Sequence, residues 1–143
     1  MTQNPELEAL NALVGEWALE ATHPAFPSTV VRGRANVEWL EGEQFLIHRS
    51  RTDHSEFPDS IVIIGAEGDR LAMHYFDSRG VQRIYGASLS EGVWRMWRDE
   101  PGFSQRFTGE LGDRGDTISG LWELSRDGST WDDDLEITYR RLG

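Results

Sequence analysis

The stretch His74-Tyr75-Phe76-Asp77-Ser78-Arg79-Gly80-Val81-Gln82-Arg83-Ile84-Tyr85 constrains the fold more than any other part of the chain. Asp77-Ser78-Arg79-Gly80 stands between two runs rich in aromatic and β-branched side chains. Gly accepts positive φ without steric cost, so Gly80 suits the end of a tight turn. The flanking residue types suit a pleated, half-buried surface. The stretch reads as two strands joined by a turn, and the same rhythm fills the chain before and after it.

Ahead of the strands, Pro5 to Val14 reads as the one helix of the protein. Asn4 is placed to cap it, Pro5 takes its first position, and acidic residues occupy its first turn. Leu7, Leu10 and Val14 share one face by three- and four-residue spacing, and Gly15 ends the helix. A short helix with one apolar face has to cover something, and an open barrel end is the natural candidate.

The first strand runs from Gly15 to about His23, where Pro24 and Pro27 break it. The second, from about Thr29 to Leu40, has the clearest alternation: Val31, Ala35, Val37 and Trp39 against Arg32, Arg34, Asn36 and Glu38. Phe45 to Arg51, Ile61 to Ile64 and Leu71 to Phe76 follow, and the central hairpin supplies the sixth strand. Val93 to Arg98, Ser104 to Leu111, Thr117 to Ser125 and Trp131 to Arg141 complete the set. Short turns and no intervening helices describe an antiparallel meander, and closure removes the exposed edges of so long a sheet. The expected fold is all-β: a ten-stranded antiparallel up-and-down β-barrel, one domain over residues 1–143, with the N-terminal helix plugging an end.

A chain of 143 residues is long enough for a real core, and six Trp, six Phe and three Tyr supply much of it. The net charge of −11 argues against nucleic acid and against anionic membrane surfaces as partners. The absence of cysteine excludes disulfides and thiolate metal sites. Met1 to Leu10 has no basic start followed by an apolar run, and no stretch approaches the ~20 apolar residues of a membrane span. A cytoplasmic location is expected.

Gly15-Glu16-Trp17, after a short helix and at the first strand, resembles the start of the calycin superfamily, the lipocalins and fatty-acid-binding proteins. The resemblance implies a barrel in which Trp17 packs at the closed end, covered by an arginine near the C-terminus, Arg140 or Arg141. A guanidinium over an indole face is worth roughly 1 kcal/mol and would tie the first strand to the last. Leu13-Val14-Gly15-Glu16-Trp17 is also similar to the start of nitrobindin-type haem barrels. The stretch from His74 to Tyr85, Trp122-Glu123 and Tyr139-Arg140-Arg141 resembles a bacterial family of lipocalin-like barrels of unknown function. Nitrobindins follow the Trp with alternating glycines and ligate haem through a late His. This chain has Ala18-Leu19-Glu20-Ala21-Thr22, and its last His is His74. Haem bound in the nitrobindin manner is therefore not expected, and no other cofactor is.

Candidate ligand-binding residues come from many strands, as the lining of a barrel cavity must. They are Trp39, Tyr75, Tyr85, Trp97, Phe107, Trp122 and Tyr139, with His48 and His74 as strand histidines and Arg83 on the face of Tyr85. The aromatics serve equally as core. The histidines serve as plain hydrogen-bonding groups, or as acid–base groups near neutral pH. No His-x-His or His-x-x-x-His pair supports a metal site, and Asp132-Asp133-Asp134 lacks the spacing of a calcium loop. An inward Arg83 would anchor a carboxylate, and an outward one would simply be solvated. Ile61 to Ile64, Tyr75-Phe76 and Trp94 with Trp97 put apolar residues on both faces of their strands, which points to an outer wall covered by a second copy, a homodimer. The leading expectation is a barrel that binds a small, largely apolar molecule. The alternatives are an enzyme using the same cavity with a histidine acid–base, and a filled barrel serving as a dimeric structural module.

Overall fold

The computed structural model describes residues 5–54 and 57–142. Its first five strands are β1 Gly15–His23, β2 Phe26–Trp39, β3 Phe45–Thr52, β4 Ser60–Glu67 and β5 Arg70–Asp77. The next five are β6 Gln82–Ser90, β7 Val93–Arg98, β8 Ser104–Leu111, β9 Thr117–Ser125 and β10 Asp132–Arg141. Each strand pairs antiparallel with the next, and β10 returns to β1 to close the barrel. Among the described residues no helix is long and apolar enough to cross a membrane.

The central hairpin shows why the turn falls where it does. Gly80 takes φ 84° and its N–H donates to the Asp77 carbonyl at 2.9 Å. The Asp77 carboxylate accepts from the backbone N–H of Arg79 and Val81, from the Tyr75 hydroxyl at 2.7 Å and from the Arg79 guanidinium at 2.7 Å. These donors, the Arg79 side chain first among them, hold the carboxyl well below the usual carboxylate range.

The N-terminal segment is shorter and tighter than the single helix expected. A four-residue α-helix, Pro5–Glu8, passes into a 3-10 turn, Ala9–Leu13. Asn4, the expected cap, lies outside the described residues. With three residues per turn, Leu7, Leu10 and Leu13 line up and are buried, and Val14 is only partly buried. The carbonyls at the end of this segment are taken from outside. The Trp17 indole N–H donates to Leu13 at 2.9 Å, and Arg141 donates to Ala12 at 3.0 Å and to Val14 at 2.6 Å. These bonds seat the segment over the barrel end holding Trp17, Leu46, Ile64 and Ile118.

Gly15 explains the Gly-x-Trp start in physical terms. It sits at φ 137°, and a Cβ there would run into the Arg141 guanidinium. That guanidinium lies 4.1 Å from the centre of the Trp17 ring. Of the two arginines proposed to cover Trp17, Arg141 does so. Arg140 is exposed, because one residue along a strand reverses the face.

The second strand begins at Phe26, three residues earlier than expected. The ladder from β1 steps from Ala21↔Val31 to His23↔Phe26, and this irregularity leaves Pro27 outside the pairing, where its missing N–H costs nothing.

Candidate ligand-binding cavity

Beneath the plugged end the strands splay around a cavity of about 310 Å³ that opens at the opposite rim. Its polar floor is set by β3 and β10. The His48 Nε2 and the Tyr139 hydroxyl are 3.0 Å apart, both residues buried. Burial lowers the His48 pKa to about 4, so the imidazole is neutral at pH 7, and burial likewise raises that of Tyr139. The His48 Nδ1 and the Trp94 indole N–H are buried with no hydrogen-bond partner among the described residues. Trp94 packs between Phe107, with ring centroids 5.0 Å apart, and Tyr139, at 6.0 Å.

The wall is a continuous aromatic path from floor to rim. From Phe107 it passes to Trp122 at 5.1 Å, to Tyr85 at 5.9 Å and to Tyr75 at 6.4 Å, mostly edge to face. Met73, Met96 and Ile137 line the same cavity. At the rim the Tyr85 hydroxyl donates to the Gln105 carbonyl oxygen at 2.5 Å, and Arg83 lies beside the pair. Burial raises the Tyr85 pKa, against the pull of the neighbouring Arg83 guanidinium. Across the rim, His23 Nε2 is 3.3 Å from Asp134. Asp134 is delivered there by a register shift in β10 between Asp133 and Leu135.

Seven of the ten candidate residues therefore line one space: His48, Tyr75, Arg83, Tyr85, Phe107, Trp122 and Tyr139. Three do not. His74 is exposed on the outer face, where Ile63 and Ile84 flank it across the ladders. Trp97 is also outside, 40 % exposed, its ring lying on Gly86, where any side chain would collide with it. Trp39 points inward but at the plugged end, its indole N–H donating to the Asn11 side chain at 2.8 Å. The tryptophan of β7 that faces the cavity is Trp94. Alternation gave no signal for this, since Arg95 shares the face of Trp97 and Arg98 shares that of Trp94. Gln105, Met73 and Met96 had no signal beyond their parity with Phe107, Tyr75 and Trp94.

The fold is shared with known structures. The crystal structure of Rv2717c from M. tuberculosis superposes with a TM-score of 0.70 at 14 % sequence identity, over 99 % of this chain and 100 % of that one. A de novo designed fluorescence-activating β-barrel superposes at 0.50 with 12 % identity, over 94 % of this chain and 97 % of the designed one. At such identities the likeness is one of fold. No protein-family model matches the chain, and no curated protein matches its sequence.

Proposed function

We propose that this chain is a cytoplasmic, calycin-type barrel that binds one small, largely apolar molecule in its interior. The observation that carries the reading is the cavity of about 310 Å³ walled by aromatic and methionine side chains. Its size falls at the lower end of the roughly 300–1,000 Å³ of small-molecule sites, and its character, mostly apolar with a few convergent polar groups, is theirs too. A space of this volume disfavours the filled-barrel alternative. The acid–base alternative on His48 or His74 has less support, because His48 bonds to a tyrosine hydroxyl and His74 lies on the outer face; the histidine that does meet a carboxylate, His23 beside Asp134, stands at the partly exposed rim. We also propose that the chain pairs with a second copy through the outer face of β3 to β7. There Ile47, Ile63, His74 and Ile84 form one cross-strand row, and Ile61 and Phe76 pair beside it.

The test is native mass spectrometry of freshly purified protein, followed by titration with the neutral apolar fluorophore N-phenyl-1-naphthylamine. The expected result is a co-purified small molecule or, once the protein is stripped, uptake of one equivalent of fluorophore per chain. Energy transfer from Trp94 and Trp122 would accompany the uptake, since both line the cavity. A stripped, folded protein that takes up none overturns the reading.

A further inference from the structure

Two polar groups at the floor of the cavity go unmet. The indole N–H of Trp94, a residue only 2 % exposed, has no acceptor among the described residues. The Nδ1 of His48 meets nothing but the backbone of its own residue. Both side chains line the cavity, and their rings stand 6.3 Å apart. Buried polar groups nearly always find a partner, so each exception calls for a reason. Packing does not supply it, because an aromatic ring needs no N–H to sit between Phe107 and Tyr139 as Trp94 does.

The surroundings of His48 decide which of its nitrogens carries the proton. The imidazole is neutral, so it holds one ring proton. Its own backbone favours a proton on the ring beside it, which places that proton on Nδ1. The Nε2 lone pair then accepts from the Tyr139 hydroxyl 3.0 Å away. What remains unmet is a pair of uncharged donors, the Trp94 Nε1–H and the His48 Nδ1–H. The arginines that line the cavity are far less buried: Arg32 and Arg79 are exposed, and Arg83 stands at the rim beside Gln105.

We propose that the guest of the cavity is a neutral carbonyl compound, its oxygen seated at the floor between the Trp94 indole N–H and the His48 Nδ1–H, its apolar body lying along the aromatic wall. A carbonyl oxygen has two lone pairs and brings no donor of its own, so it meets both groups and leaves nothing unpaired. A carboxylate sunk to the same depth would leave its charge without a cation, which is costly. This inference rests on the reading of the barrel as a binding protein and names the polar group of its ligand.

The test compares two probes of nearly the same shape, 2-acetylnaphthalene and 2-isopropylnaphthalene, in displacing N-phenyl-1-naphthylamine at pH 7.5. Trp94→Phe, shown to be folded by urea unfolding, should bind the ketone about tenfold more weakly than wild type does and the hydrocarbon within about twofold. A second readout needs no variant. In ¹⁵N-labelled wild type, the indole N–H signal assigned to Trp94 by its contacts with the Phe107 and Tyr139 rings should move downfield with the ketone and not with the hydrocarbon. Equal loss of both probes in the variant, or an indole signal that responds alike to both, overturns the proposal and leaves the binding barrel standing. A stripped, folded wild type that takes up neither probe nor the fluorophore overturns both.

Discussion

His48 is an ionisable group held neutral by the fold, and its position has a measurable cost. In the unfolded chain it takes up a proton near its ordinary pKa of 6.5, but in the barrel only near 4. Between those values the unfolded chain binds more protons than the folded one, so stability rises with pH across that window. Taking the protein from pH 7 to pH 5 should cost on the order of 2 kcal/mol through this residue alone. Asp77 acts in a different range: its carboxyl stays ionised well below the ordinary 3.8, so its contribution is complete above that value and is lost only in stronger acid. His48→Gln keeps a polar partner for Tyr139 and has no proton to gain. Urea unfolding at both pH values should therefore show about 2 kcal/mol less pH dependence in the variant than in wild type. Equal dependence in the two proteins would place the burial cost elsewhere. That a strand histidine faces the interior was legible at His48 but misread at His74. Each sits among apolar neighbours, and its own residue type does not report which face it takes.

Among the elements, the junction of β1 and β10 holds the barrel shut. Trp17 pairs with Arg141 across the ladder, and the Arg141 side chain stacks on that indole while donating to the carbonyls of Ala12 and Val14. One side chain thus joins the first strand, the last strand and the N-terminal plug. Gly15→Ala should destabilise by about 2–3 kcal/mol, from positive φ and the collision with Arg141. Arg141→Met should cost about 2 kcal/mol, from the lost ring contact and the unmet carbonyls. Because the second change removes the group the first collides with, the double variant should be milder than the sum by about 1 kcal/mol or more, measured by urea unfolding. Simple additivity would mean that the two residues do not meet. The strand ends themselves were largely readable, since β7, β8 and β9 match their expected limits. The plug was not, because its pitch answers to the donors of Trp17 and Arg141, which are distant in sequence or lie beyond its end.

At the scale of the whole molecule the barrel presents two apolar surfaces, one enclosing the cavity and one facing outward on β3 to β7. Phe45, Ile61, Phe76, Ile84 and Trp97 are all exposed on that outer face. If two copies meet there, light scattering at high micromolar concentration should give twice the 16.3 kDa chain mass, and Ile84→Glu should return it to the monomer. Ile84 is 63 % exposed, so the substitution should leave unfolding within about 0.5 kcal/mol of wild type. A monomeric wild type would count against the pairing and leave the cavity untouched.

The sequence by itself determined the strands, their turns and the closing meander, while the covering of Trp17 by a C-terminal arginine came from the calycin resemblance and left Arg140 and Arg141 both open. The first three features depend on two-residue alternation and on turn chemistry, both local. Only the tertiary structure decided which face of a two-faced strand looks inward. In Val93-Trp94-Arg95-Met96-Trp97-Arg98 both parities carry a tryptophan and an arginine, so alternation alone leaves the choice nearly balanced. The neighbours settle it: Gly86 on β6 offers Trp97 a bed outside, and Phe107 and Tyr139 receive Trp94 within. Such facts belong to distances between strands, and a linear pattern of residues does not contain them.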